Sequence, residues 1–411
     1  MKCGLLGRKL GHSYSPQIHS QLADYTYSLI EKEPDQLAEF FETCDFTGLN
    51  VTIPYKKDVI PFCKELSPCA KAMGAVNTIV RRPDGTLIGH NTDYFGFETM
   101  LCHSTLSVRG KKVLVLGSGG ASNTAVQALK DYGANVVVIS RSGENNYDNL
   151  HLHKDAAVIV NATPVGMYPN VGESPVDLPL FPALEGVLDL IYNPAKTKLL
   201  MDAENHGLIA ENGLRMLVAQ AKESAEWFTG NSIPDSVIET IHSRLACQME
   251  NIILIGMPGS GKSSIGQALA ERIGKQFVDS DALIIELAGK SIPEIFAQDG
   301  EEYFRNLETQ ALEILGKESG TVIATGGGCV TKERNYRLLH QNGKIFWLQR
   351  ELEKLPTDGR PLSQAGKLTQ MYEIRKPLYE SFADHIIDNN GSIDVTVERI
   401  CKEVGYENPG N

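Results

Sequence analysis

The chain has 411 residues, 42% of them hydrophobic and 22% charged, with a formal net charge of -12. That length exceeds what one hydrophobic core usually organises, so two or three domains are expected. The acidic balance argues against nucleic acid or an anionic membrane as a general partner, since both need a basic field; a local cluster of Arg and Lys is enough for an anionic small molecule.

In chain order, short apolar runs over 27–30 and 48–53 predict strands. The spacing of Leu37, Phe40 and Phe41 predicts a helix over 35–44. A βαβ unit follows: strand 112–116, the turn Gly117-Ser118-Gly119-Gly120-Ala121, helix 123–132, Gly133, and strand 135–140. Runs over 156–161 and 186–190 read as buried parallel strands. Residues 214–229 form a helix closed by Gly230, and a last helix over 235–249 leads through a short linker at 247–251 into the apolar run Asn251-Ile252-Ile253-Leu254-Ile255. No internal repeat is visible. The 8 cysteines include no Cys-x-x-Cys pair, which disfavours a zinc site or disulfide framework and points to a reducing, cytoplasmic setting. The stretch through Cys3-Gly4-Leu5-Leu6-Gly7 lacks a long apolar run, so no signal peptide is expected, and no segment approaches the ~20 apolar residues of a membrane span.

Gly256-Met257-Pro258-Gly259-Ser260-Gly261-Lys262-Ser263 matches the phosphate-loop pattern in full. Its glycines let backbone N–H groups face phosphates at a helix N-terminus. Lys262 has the reach for the β- and γ-oxygens, and Ser263 offers a hydroxyl to magnesium. Gly259, Ser260, Gly261 and Ser264 complete the expected nucleotide contacts. Downstream come Phe277-Val278-Asp279-Ser280-Asp281, Phe304-Arg305-x-x-Glu308, Ala324-Thr325-Gly326-Gly327-Gly328, Gly359-Arg360-Pro361-Leu362 and Arg375-x-Pro377-Leu378-Tyr379. This ordered set, across essentially all of 250–405, closely resembles shikimate kinase. The resemblance implies that Asp281 holds the ring hydroxyls and accepts the attacking hydroxyl's proton. It implies that Arg305 and Arg375 clamp the substrate carboxylate, that Gly327 offers its N–H to substrate, and that Asp279 supports magnesium. Arg360 would come from a lid over the phosphates. Asp279 also suits a plain helix N-cap, and Arg375 a surface cation. The connector from Trp347 to Arg360 is shorter than the resemblance leads one to expect, and either Arg350 or Pro356 would substitute there in packing on adenine.

The first half carries Gly11-His12-Ser13-Tyr14-Ser15-Pro16, Asn50-Val51-Thr52-Ile53-Pro54-Tyr55-Lys56, Gly74-Ala75-Val76-Asn77-Thr78 and Gly89-His90-Asn91-Thr92-Asp93. Later come Asn161-Ala162-Thr163-Pro164, Asp189-Leu190-Ile191-Tyr192 and Asn212-Gly213-Leu214-x-Met216-Leu217-x-x-Gln220. Across 1–245 this looks like shikimate dehydrogenase. Hydride addition to a ketone builds negative charge on oxygen, which a nearby ammonium stabilises and protonates. Lys56 is the candidate and Asp93 its orienting partner, with a structural ion pair as the alternative. The resemblance implies that Ser13 and Ser15 bind the substrate carboxylate, and that Thr52, Asn77, Tyr192 and Gln220 bind ring hydroxyls. The turn 117–121, with Thr163, Ile191 and Gly213, would contact the dinucleotide. After the second strand stand Ser140, Arg141 and Ser142 with no acid, a pattern that favours a 2′-phosphate over a free ribose hydroxyl and so NADP(H). Asn145, where a second Arg is common, would weaken that preference. His12 and His19 have no assignable role.

Together these patterns predict an α/β protein. A substrate-binding lobe (1–95) is followed by a Rossmann lobe (96–212), a helical segment (213–249) and a P-loop kinase domain with a parallel sheet (250–411). The expected cofactors are NADP(H), ATP and Mg2+, and the expected partners are small molecules, with monomer and homodimer both open. The implied reactions are consecutive: reduction of 3-dehydroshikimate, then phosphorylation of shikimate. A quinate or quinate/shikimate dehydrogenase is the alternative for the first half, and a nucleotide-binding protein without turnover is the alternative of another class.

Overall fold

Among the described residues, sixteen strands form three sheets. The computed structural model describes residues 1–11, 13–43, 45–355 and 365–406, the side chains of 365–367 excepted. Contacts divide the chain into two units. The first comprises Met1–Met167, Glu173–Tyr192 and Leu199–Arg244; the second comprises Tyr168–Gly172, Asn193–Lys198 and the chain from Leu245 onward.

The first sheet of unit one is mixed. Its strands β1 (Lys2–Gly7), β2 (Thr26–Glu31), β3 (Gly48–Val51), β4 (Glu65–Leu66), β5 (Thr78–Arg81) and β6 (Leu87–His90) lie in the order β2-β1-β3-β5-β6-β4. β1 runs parallel to β2 and β3, while β5 is antiparallel to β3 and β6. Leu37, Phe40 and Phe41 of the helix Leu37–Thr43 cover it against Leu6, Leu49 and Ile79, so the helical face read from the spacing is formed. Pro34, with its fixed φ, opens a 3-10 turn over Pro34–Gln36 ahead of that helix. β3 stops at Val51, two residues short of the expected strand. Pro54 has no N–H for a ladder, and Ile53 is 77% exposed, which frees Thr52 and Ile53 to line a cavity.

The second sheet of unit one is wholly parallel: β7 (Lys112–Leu116), β8 (Asn135–Ile139), β9 (Val158–Asn161), β10 (Gly186–Asp189) and β11 (Ile209–Asn212), in the order β11-β10-β9-β7-β8. Continuous apolar runs suit strands covered on both faces; Val113, Leu114, Val115 and Leu116 are all fully buried. The strand order reverses at β7, which opens a crevice at the carboxyl ends of β7 and β9. The helix after β7 spans Gly120–Asp131 and starts three residues before the expected 123, because the Gly-rich turn itself winds into the first helical turn. Helices Asp93–His103 and Leu214–Thr229 pack closely, and a Cβ on Gly96 would stand 2.7 Å from the Met216 carbonyl, so only glycine permits this approach.

Unit two holds a third, parallel sheet: β12 (Asn251–Ile255), β13 (Gln276–Asp279), β14 (Thr321–Ala324), β15 (Gly343–Gln349) and β16 (His385–Asp388), ordered β13-β14-β12-β15-β16. β12 is central and buried along its whole length, and the order switches around it. The phosphate loop therefore leaves the sheet at the switch point and feeds the helix Lys262–Ile273. The helix Ser236–Met249 ends one residue before β12, so Cys247, Gln248 and Met249 of the expected linker are helical. Among the described residues no helix is long and apolar enough to cross a membrane, and the described cysteines are all free.

Candidate active sites

Unit one contains a cavity of about 410 Å³ lined by Ser13, Ser15, Thr52, Lys56, Asn77, Asp93, Tyr192 and Gln220, the side chains selected from sequence, and by Ala121 and Gly213. Lys56 Nζ donates to Asp93 Oδ2 at 2.5 Å. Asp93 opens the helix Asp93–His103, where the helix dipole favours a carboxylate. Asn77, only 3% exposed, donates to Asp93 Oδ1 at 2.9 Å and to Thr92 Oγ1 at 3.0 Å, and its Oδ1 accepts from the Thr92 N–H at 2.8 Å. One Asp93 oxygen is thus pinned by Asn77 and the other faces Lys56. Burial pushes the Tyr192 phenol upward, so it remains a neutral donor, edge-on to Tyr14. Gln220 accepts from Thr92 Oγ1 at 3.4 Å and donates to the Leu217 carbonyl at 2.8 Å.

Behind this surface lies a polar layer that sequence reasoning missed. Asn50, which lines the cavity, donates to Ser224 Oγ at 2.8 Å and accepts from the Tyr27 hydroxyl at 2.7 Å. Thr78 joins Ser224 at 2.9 Å. His19 stacks face to face on Tyr27 at 4.0 Å, and burial pushes its pKa down to about 3, so it is a neutral wall. Lys9, Leu10 and Met216 also line the cavity. For Lys9 the only available signal was its place four residues before Ser13.

At the Gly-rich turn, Gly117 has φ +105°, and a Cβ there would meet the Ala162 carbonyl at 3.1 Å. Gly119 and Gly120 face open space, with nothing within 4 Å of a Cβ. This is a bare backbone cradle at a helix start, which fits a pyrophosphate. Gly213 cannot carry a side chain, because its Cβ would lie 2.2 Å from the Leu190 carbonyl. Thr163 and Ile191 have their N–H groups taken by Asn161 and Asp189, and neither lines the cavity. Arg141 and Ser142 are exposed beyond β8, whereas Asn145 turns its Oδ1 to His153 Nε2 at 3.1 Å. The Ser140 N–H is held by the Asn145 carbonyl.

Unit two contains a cavity of about 580 Å³ whose walls include Gly259, Gly261, Lys262, Ser263 and Ser264 of the loop, and Asp279, Asp281, Arg305, Gly327 and Arg375. Asp279 caps the helix Ser280–Ala288 through Oδ1, which accepts from the Asp281 N–H at 3.0 Å, while its Oδ2 accepts from Ser263 Oγ at 2.6 Å. The cap and the expected magnesium pair therefore coexist on one carboxylate, and this hydroxyl–carboxylate set suits a hard cation. Lys262 is buried and donates to the Gly256 and Met257 carbonyls at 2.9 and 3.0 Å. Ser260 does not line the cavity: it is fully buried, and its N–H goes to the Met257 carbonyl.

Each glycine of the 326–328 triplet is required by a different neighbour. A Cβ on Gly326 would stand 2.6 Å from Glu308 Oε1 and 3.0 Å from Asp281 Oδ1; on Gly327, 2.7 Å from Pro258 Cδ; on Gly328, 1.9 Å from Arg305 Nη1. Arg305 donates to Glu308 at 2.8 Å and Glu301 at 3.1 Å. Burial would lower its pKa, but these carboxylates hold it above the ordinary value and fully charged. Burial raises the Glu308 carboxyl against the pull of Arg305. Glu308 was visible in its motif but had no role; here it sets the guanidinium's position. Arg375 and Tyr379 both donate to the Gly327 carbonyl, at 3.0 and 2.5 Å, which fixes the 327–328 peptide plane. Arg360 and Pro356 lie outside the described residues.

Residues 5–79 match the family model described as shikimate dehydrogenase substrate binding domain, and residues 258–405 match the model described as shikimate kinase. The shikimate dehydrogenase (NADP(+)) of a Clostridium perfringens strain is 36% identical over 267 residues, 60% of this chain and 98% of that protein. The chain belongs to the shikimate dehydrogenase family. Its second part is a shikimate kinase domain. Among solved structures, a chorismate mutase/shikimate 5-dehydrogenase fusion protein from Clostridium acetobutylicum is 39% identical, with TM-score 0.56 over 59% of this chain and 96% of that one. Quinate dehydrogenase from Corynebacterium glutamicum, in complex with NAD, is 28% identical, with TM-score 0.53 over 59% and 99%. The enzyme is therefore bifunctional: an NADP-dependent shikimate dehydrogenase joined to an ATP- and Mg2+-dependent shikimate kinase, on the α/β architecture expected from the sequence.

Proposed function

We propose that Lys56 and Asp93 are the catalytic pair of the dehydrogenase, and that the unit-two cavity phosphorylates the same ring with Asp281 as base. The observation that carries the first reading is the Lys56–Asp93 contact inside a cavity of hydroxyl and amide side chains, with Asn77 bracing the carboxylate. NADPH, when bound, supplies the hydride. Gly117, Ser118, Gly119, Gly120 and Ala121 would hold its pyrophosphate, and Arg141 with Ser140 and Ser142 would hold the 2′-phosphate. Lys56 stabilises the charge that builds on the ketone oxygen and delivers the proton; Asp93 keeps the ammonium aimed. Ser13 and Ser15 take the carboxylate, and Thr52, Tyr192 and Gln220 the hydroxyls.

In the kinase, Arg305 and Arg375 clamp the carboxylate through their planar forks. Asp281 accepts the hydroxyl's proton; Lys262, now on the Gly256 and Met257 carbonyls, would turn to the phosphates, and Ser263 with Asp279 would hold magnesium, which would supply charge neutralisation there. The lobes 1–95, 96–212 and 213–249 and the kinase domain 250–411 are proposed as the working divisions, in keeping with three sheets that each lie within one of them. Free thiols on the described cysteines support a reducing, cytoplasmic location.

Lys56→Ala should lower kcat for NADPH oxidation by roughly 10²- to 10⁴-fold while phosphorylation of supplied shikimate continues unchanged. Steady-state kinetics with 3-dehydroshikimate and with the quinate-series ketone test both the role and the substrate. A loss under tenfold would remove Lys56 from catalysis, and a larger kcat/KM for the quinate series would overturn the substrate assignment.

A further inference from the structure

One cation near the phosphate loop has no part in the kinase reading just proposed. Arg350 follows β15, the strand beside β12, and so stands at the same edge of the sheet as the loop. Its Nη1 lies 3.6 Å from where a Cβ on Gly261 would stand, placing the guanidinium against the glycine that precedes Lys262. Its Nε is buried without a hydrogen-bond partner. Among the described residues no carboxylate pairs with it, although Glu351 beside it pairs with Lys354. A partly buried guanidinium, charged and under-bonded beside a loop of backbone donors, is suited to a phosphate.

Beyond Arg350 opens a second cavity of about 450 Å³, walled by Leu352, Tyr372 and Asn390 and edged by Glu351 and Glu353. Its frame is tied to the loop. Asn390 Oδ1 accepts from the Glu351 N–H at 3.0 Å, and the adjacent Asn389, 3% exposed, donates to the Ser260 carbonyl at 2.5 Å. The two glutamates disfavour phosphates in this second cavity but not a flat neutral ring with amino donors. Arg350 thus stands between a space for phosphates and a space for a base.

We propose that Arg350 binds the phosphate chain of ATP at its nucleoside end, and that the cavity it shares with Tyr372 receives the ribose and base. This rests on the kinase reading and changes the expectation that Arg350 packs on adenine: its planar group serves the anion instead.

The test uses the full chain with Arg350→Gln and Arg350→Lys, both first checked by thermal unfolding. Calorimetry with Mg·ADP and with adenosine, and ATP and shikimate saturation curves, are the readouts. Arg350→Gln should weaken Mg·ADP binding and raise KM for ATP by about tenfold or more. Adenosine affinity, KM for shikimate and NADPH oxidation should stay near wild type, and Arg350→Lys should recover part of the loss. Unchanged Mg·ADP affinity in a folded Arg350→Gln variant overturns the proposal. Equal losses for adenosine and ADP also overturn it, because Arg350 would then serve the base. If the wild type binds Mg·ADP but does not phosphorylate shikimate, the kinase reading fails, while the ADP measurement still decides Arg350.

Discussion

Arg305 lies flat against the backbone of Gly328, with no room for even a methyl group between them. Gly328→Ala must therefore displace the guanidinium, and a shift near 1 Å at a positioning group costs up to about 10²-fold. We expect KM for shikimate to rise by about tenfold or more with KM for ATP nearly unchanged; equal KM values for shikimate in variant and wild type would remove Arg305 from the substrate clamp. Asn77→Ala would free Asp93 Oδ1 while leaving the Lys56 contact in place. The expected result is a fall in dehydrogenase kcat of about tenfold with little change in KM for NADPH, measured by initial rates. Much of the candidate site was legible at this scale, because short ordered motifs at strand ends carry the groups that chemistry needs. Asn50, Thr78 and Ser224 were not: Asn50 and Ser224 are 174 positions apart, and nothing local marks either as a partner of the other.

At the scale of elements, strongly patterned segments formed where their spacing put them, and the departures have local causes. β3 ends early because Pro54 cannot continue a ladder, and the helix after β7 begins inside its Gly-rich turn. β1 carries two glycines, and its continuation as a strand rests on pairing with β2 and β3 rather than on its own composition. His19, unassigned from sequence, belongs to the packing between the short helix Ser15–His19 and β2. Its pKa falls from 6.5 to about 3 on burial, so the folded protein keeps it neutral while the unfolded chain takes up a proton below about pH 6.5. Stability from this group is complete above pH 6.5 and is lost as pH falls toward 3, at a slope approaching about 1.4 kcal/mol per pH unit. Urea unfolding of unit one at pH 7 and pH 5 should therefore show a smaller loss for His19→Phe than for wild type, by about 2 kcal/mol. Identical losses would mean that His19 is protonated in the fold.

For the whole molecule, the sequence carried the two activities, the parallel α/β architecture and the cofactors, because a phosphate loop and a Gly-rich dinucleotide turn each follow a buried strand. The division between units was less legible: it falls inside the helix Ser236–Met249, whose apolar period runs on without a Gly or Pro to break it. Each unit encloses its own cavity, and the acid–base group proposed for each lies within it, so the two chemistries should be separable by single substitutions. Lys262→Ala should abolish phosphorylation and leave NADPH oxidation intact, the mirror of Lys56→Ala. The measurement that tests the central claim most directly is one reaction containing purified chain, 3-dehydroshikimate, NADPH and Mg·ATP, with NADPH absorbance followed and the product mass read at the end. The account predicts NADPH loss and a shikimate phosphate product. Loss of NADPH with unphosphorylated shikimate as the end product, or no loss of NADPH at all, would contradict it.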